Sequence, residues 1–173
     1  MIRHRPAGIV RVTSHCAAIR RLEPDMPSIA DNPALGTYAV CTAILAIKLM
    51  LTSLYTAVKR RGTQSYANAE DAAAFGDSGT TASAADSPEV ALALRIQRND
   101  GENIPAFFAV ALVYVLTGGS AFGASIYMWT FTIARLLHTV AYANQLQPWR
   151  ALTFFAGLLC IIGMSVSTIL HVL

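Results

Sequence analysis

Arg135, His138 and Tyr142 stand at i, i+3 and i+7 within an otherwise apolar stretch, so a helix would carry all three on one face. A second polar group, Arg98, Asn99 and Glu102, opens another apolar run. Two single arginines mark run boundaries, Arg60 at an end and Arg150 at a start. Charges at such positions are costly, must be paired, and by default mark a functional site. Guanidinium groups grip carboxylates through paired hydrogen bonds, and helix N-termini, here at Asn99 and Arg150, favour anions as well. Glu102 supplies the complement for an amine. The set therefore suits a small zwitterion with excess negative charge. The plainer reading is that interfacial Arg and Lys anchor helix ends or snorkel to headgroups, the role expected of Lys59 and Arg61. An Arg135–Glu102 pair, likewise, can do no more than hold two helices together.

The elements that must position these residues are apolar helices. Of the 173 residues, 54% are hydrophobic and only 13% charged, about half the charged fraction of an ordinary soluble domain. The apolar residues fall into four blocks, Tyr38–Val58, Ile104–Leu116, Phe122–Ala143 and Ala151–Leu173. Crossing the hydrocarbon takes roughly 20 residues. The first, third and fourth blocks have that length; the second reaches it only if its polar first turn, Asn99–Asn103, enters the interface. The expected fold is an all-α integral membrane bundle of four transmembrane helices, at about 34–60, 90–117, 121–144 and 148–172, within a domain spanning 32–173. The competing class is a soluble all-α domain with buried helices.

Residues 1–31 read as a separate extension. Arg3, Arg5, Arg11, Arg20 and Arg21 precede the first acid, Glu23, and no run has the length of a signal-peptide core. An unstructured extension is expected, with a transit peptide or a true start at Met26 as alternatives. Asp31-Asn32-Pro33 caps the first helix, and Gly62 is its expected stop after a cationic last turn. The Gly-, Ser-, Thr- and Ala-rich 76–87 stretch reads as a mobile part of the first loop. Ser87-Pro88-Glu89 announces the second helix, and Pro148 suits a first helical position. Lys59, Arg60, Arg61, Arg95 and Arg98 flank the first loop, Arg150 follows the third, and the second has no charge. That bias puts loops one and three, and with them the polar cluster, on the cytoplasmic side.

Within that frame the zwitterion matches glutathione, whose thiol an adjacent Arg or helix N-terminus would activate by lowering a pKa of about 8.5. Greasy helix walls would admit an apolar co-substrate. Lys48, near the middle of the first helix, needs a partner, with Asp100 the leading candidate. Cys16, Cys41 and Cys160 lack metal-ligand or CxxC spacing, and the latter two read as inert hydrophobes. No metal is expected. A net charge of +3 with no basic stripe of interleaved aromatics gives no sign of a nucleic-acid partner.

Several segments carry a resemblance in the right order. Arg98-Asn99-Asp100-Gly101-Glu102-Asn103-Ile104 resembles the RNDxExI signature of the MAPEG family, the membrane-associated proteins of eicosanoid and glutathione metabolism. Arg135-Leu136-Leu137-His138-Thr139-Val140-Ala141-Tyr142 is similar to its RxxHTxAY segment, and Arg150–Phe155 to the start of its fourth helix. Tyr66–Asp71 with Phe75-Gly76 resembles its FANPED…FG loop, and Ile47-Lys48 has a counterpart. The resemblance implies a homotrimer in which Arg60, Arg98, Asn99, Glu102, His138, Tyr142 and Arg150 hold glutathione between neighbouring subunits. Arg150 is implied as the catalytic residue that stabilises the thiolate, with Asp71, Arg135, Asp100 and Lys48 in support.

Departures from the family pattern indicate a branch. Ala151 and Phe154 replace a serine and a tyrosine of prostaglandin E synthases, and with Glu102-Asn103-Ile104 they resemble the microsomal glutathione S-transferase branch. Ala72 occupies the place of that branch's loop cysteine. Ala69 replaces a usual Pro and Gln97 a common His, and the linker before Arg150 is one residue shorter. The expected activity is attack of the glutathione thiolate on lipophilic electrophiles in the membrane, with reduction of lipid hydroperoxides as a second activity. Alternatives are a glutathione-dependent eicosanoid synthase or isomerase, a non-catalytic lipid-binding member, and a proton or ion pathway resting on Lys48 and the intramembrane charges. High Ala content suits a bacterial inner membrane; the resemblance also allows endoplasmic reticulum.

Overall fold

The computed structural model describes residues 31–173. The expected extension with its alternative start at Met26, and Cys16, lie outside the described residues apart from Asp31. Among the described residues the chain is all helical: α1 Pro33–Thr63, α2 Ala69–Phe75, α3 Pro88–Leu116, α4 Ala121–Ala143 and α5 Trp149–Val172.

Three of the four long helices begin at side-chain caps; α5 has none, and Pro148, expected at its first helical position, stands just before Trp149. Asn32 accepts from the Ala34 amide at 2.9 Å and spends its own amide on the Val115 carbonyl at 3.0 Å, tying the start of α1 to the end of α3. Pro33 fills the first turn, where no amide donor is needed. Ser87 caps α3 through the Val90 amide at 3.3 Å and Ser120 caps α4 through the Gly123 amide at 3.1 Å.

One stop differs from expectation. α1 runs through Gly62, and the left-handed residue is Gln64 (φ 53°, ψ 31°). A side chain in that region costs roughly 1 kcal/mol, which Gln64 offsets with hydrogen bonds. Its amide donates to the Arg61 carbonyl at 2.9 Å, and its Oε1 accepts from the Asp77 amide at 2.9 Å and the Thr80 hydroxyl at 3.2 Å. Those bonds also correct the expectation of a mobile first loop. The loop contains α2, and Tyr66, buried, donates to the Phe75 carbonyl at 2.9 Å while its own carbonyl accepts from the Ser83 amide at 2.8 Å. Ser87 closes it, bonding Ser65 and Thr63 at 3.1 Å each.

The buried face of α3 runs Val90, Ala93, Ile96, Asp100, Ile104, Phe107, Ala111, in steps of three and four, the period of one helix stripe. α1 packs on α3 and α4, and α5 packs on α3 and α4. The shared core holds Leu45, Ile104, Met128 and Met164 around Phe107 and Phe131, whose rings stack at 4.3 Å. Cys41 and Cys160 are free and buried in it.

α1 and α5 are long and apolar enough to cross a membrane, yet only 22% and 17% of those stretches is buried within the chain. A soluble core helix would be mostly covered. Here Ile47, Met50, Leu54, Leu159 and Ile162 face outward, the distribution a lipid solvent permits.

Candidate functional site

Three helices bring the polar residues together at the end of the bundle where α4 turns into α5. Arg135 on α4 is wholly buried. Its Nη1 donates to Asn99 Oδ1 on α3 at 3.1 Å, and its Nη2 to the Phe154 carbonyl on α5 at 3.3 Å. The rings of Phe131 and Phe154 flank the guanidinium at 5.4 and 5.5 Å. The suggested Arg135–Glu102 pair is therefore corrected. At 100° per residue, Glu102 lies about 200° around α3 from buried Asp100, and it is exposed. Asn99, beside Asp100, is the residue within reach.

One turn further along α4, His138 Nδ1 lies 3.0 Å from the Arg150 carbonyl and 3.2 Å from Thr153 Oγ1. The Thr153 hydrogen is directed to the carbonyls of Trp149 at 2.8 Å and Arg150 at 3.1 Å. Nδ1 must then carry the proton, and Nε2 is the acceptor nitrogen. Nε2 is buried with no partner among the described residues.

The Arg150 guanidinium lies over the Tyr142 ring at 4.8 Å, and Tyr142 meets His138 edge-on at 5.6 Å. With the Gln147 amide oxygen turned toward it, Arg150 donates from Nη2 at 2.8 Å and Nε at 3.1 Å. Gln147 was not among the sequence candidates; nothing in its polar turn marked it out. Cation–π contact and the amide fix the arginine without neutralising it.

Other candidates stand apart. Arg98 and Glu102 are exposed on α3 and make no ion pair among the described residues. Arg60, on α1, donates through Nη1 to Asp86 at 2.8 Å and to the Ser65 carbonyl at 3.2 Å. With Arg61, Tyr66, Asp71, Phe75, Ala57 and Val58 it lines a cavity of about 340 Å³ at the end of α1. Asp71 accepts from the Asn68 side chain at 3.1 Å. Arg60 and Arg150 thus belong to separate clusters, on α1 and α5, helices that do not pack on each other as the other pairs do. Lys48 pairs with buried Asp100 across α1 and α3. Gln97, beside that pair, bridges Thr56 at 3.0 Å and Ser53 at 3.2 Å.

A helical bundle with apolar outer faces and two helices long enough to cross a membrane has the build of a membrane protein. The chain belongs to the MAPEG family, whose model matches residues 38–170. It is 36% identical over 135 residues to microsomal glutathione S-transferase 1 of Rattus norvegicus, covering 77% of this chain and 87% of that one. It is 33% identical over 127 residues to prostaglandin E synthase of Homo sapiens, covering 73% and 82%.

Proposed function

We propose that this protein is a membrane-bound glutathione transferase that attacks lipophilic electrophiles and also reduces lipid hydroperoxides. The observation that carries the reading is Arg150, a guanidinium held at the start of α5 by Tyr142 and Gln147 with no carboxylate on it among the described residues. The donor set fits glutathione. Arg98, Arg150 and the Asn99 amide suit its carboxylates, Glu102 suits its amine, and His138 Nε2 accepts an N–H or S–H. Arg60 and the apolar cavity beside it form the second half of the site, with Asp71 at its edge.

That division favours a homotrimer in which Arg60 of one subunit faces Arg150 of the next. Four spans are favoured by length. The shortest long helix, α4, has 23 residues and reaches about 34 Å, enough for a hydrocarbon core of about 30 Å. The loops rich in Lys and Arg favour a site toward the cytoplasm, in a bacterial inner membrane or endoplasmic reticulum.

In the reaction, the Arg150 charge favours the thiolate and the thiol proton leaves to solvent. Sulfur then bonds the electrophilic carbon, whose leaving group departs with the electron pair. With a hydroperoxide, sulfur takes the terminal oxygen as the O–O bond breaks. A second glutathione displaces that oxygen as water, leaving glutathione disulfide and the lipid alcohol.

Arg150→Ala should lower kcat/KM for conjugation of glutathione to an aromatic electrophile about a hundredfold, an effect of the size seen when a donor to developing negative charge is removed. Normal turnover in that variant would refute the role of Arg150. Similarity to a prostaglandin E synthase favours a second reading, an isomerase that uses glutathione without consuming it. Ala151 and Phe154 weigh against it, and product formation at constant glutathione concentration would establish it.

A further inference from the structure

We infer that Arg135 is a positioning residue that fixes which end of the Asn99 amide meets the ligand, and that Gly157 is the notch in α5 that lets it do so. The inference rests on the glutathione reading above. A guanidinium has only donors, so Asn99 must turn its oxygen toward Arg135. Its Nδ2, which has no hydrogen bond among the described residues, is left turned away from Arg135 as a donor. A free Asn side chain presents either end. Held by Arg135, this one presents NH₂ alone, and so selects a carboxylate or carbonyl on the ligand and rejects an amine.

The Arg135 bond to the Phe154 carbonyl acts on the same site from the other side, since Phe154 lies one turn along α5 from Arg150. One buried side chain thus spaces the Asn99 donor on α3 relative to the Arg150 cation on α5.

Gly157 makes this possible. A Cβ there would lie 2.7 Å from Arg135 Nη2, 3.0 Å from Nε and 3.3 Å from Cζ. The end of an arginine normally swings clear of such a contact. This one is wholly buried, flanked by two aromatic rings and bonded to two helices. Gly157→Ala must therefore displace the guanidinium, and with it both of its bonds, to Phe154 through Nη2 and to Asn99 through Nη1. Neither Gly157 nor Arg135 needs to touch ligand for the effect to reach it.

The test is a double-mutant cycle in detergent-solubilised full-length protein, read by calorimetric glutathione Kd and by thermal unfolding. Gly157→Ala should weaken glutathione binding about tenfold, the scale of losing one hydrogen bond to a charged group. Arg135→Gln should weaken it similarly, and Arg135→Lys should not restore it, because Lys cannot span two helices in a plane. In the Arg135→Gln background Gly157→Ala should add less than about twofold, since nothing remains to displace. Additive losses, or coupling in thermal stability with Kd unchanged, would overturn the inference while leaving the glutathione reading intact. Absence of glutathione binding by the unmutated protein would overturn both.

Discussion

At the end of the bundle where α3 turns into α4, glycines fit the helices against tyrosine rings. At the opposite end, charged and polar side chains fit them against one another. In the first region a Cβ on Gly119 would lie 2.2 Å from the Tyr114 ring, on Gly123 2.2 Å from its hydroxyl, and on Gly163 2.6 Å from Tyr127. Tyr114 donates to the Ser120 carbonyl at 3.3 Å, and the turn carries no charge. In the second region Lys48 meets Asp100, Arg135 meets Asn99 and Phe154, and His138 meets Arg150. Close backbone approach suffices where nothing is presented to a ligand. Where donors must be aimed, side chains act as struts, and each strut brings a desolvation cost that its partner must offset. Gly157 is the point at which the two devices meet.

The largest expected effect tests the strut end. Lys48→Met leaves Asp100 buried and alone, and should cost about 3 kcal/mol or more, measured by denaturant unfolding in detergent micelles. Adding Asp100→Leu should restore most of that loss, because an apolar pair of similar volume needs no partner. Failure of the double variant to recover would mean that the pair does more than satisfy itself. A smaller effect is expected at the glycine end. Gly123→Ala should cost about 1–3 kcal/mol by overpacking against Tyr114 and leave glutathione Kd unchanged. A shift in Kd would erase the division between the two regions. The smallest concerns Asp86→Asn, which removes a half-exposed ion pair from Arg60 and should cost under about 1 kcal/mol. If Arg60 serves the ligand, glutathione KM in that variant should move by no more than a few-fold, and kcat not at all.

Much of this arrangement was legible in the residues. Caps at Asn32 and Ser87, and the spacing of apolar runs, mark the four long helices, because cap chemistry is local. The Lys48–Asp100 contact was legible for another reason: few acids lie in the apolar runs, so an intramembrane Lys has few choices. The i, i+3, i+7 pattern put Arg135, His138 and Tyr142 on one face. It could not tell that Arg135 points to the core while Arg98 and Glu102 stay exposed, since that depends on the rotation of α3 against α4. α2, Gln64 and Gly157 were missed for the same kind of reason. A left-handed glutamine is held by two bonds from a loop 13 and 16 residues away, and a glycine notch is defined only by the arginine that fills it. The expectation that Gly62 stops α1 failed because a preference of about 1 kcal/mol yields to contacts of that size.

The first loop has one further consequence. Its tip, Asp77–Gly79, is exposed, and Gly79 has open space where a Cβ would stand. At its base Gln64 Oε1 holds both sides, Asp77 where the tip begins and Thr80 just after it, and the Ser87 clasp fastens the chain further on. An epitope inserted at Ser78 would hang from a closed ring, leaving both helices it joins undisturbed. The same position then serves as a topology reporter, because whichever face of an intact vesicle an antibody must reach to find that epitope is also the face on which Arg60 stands.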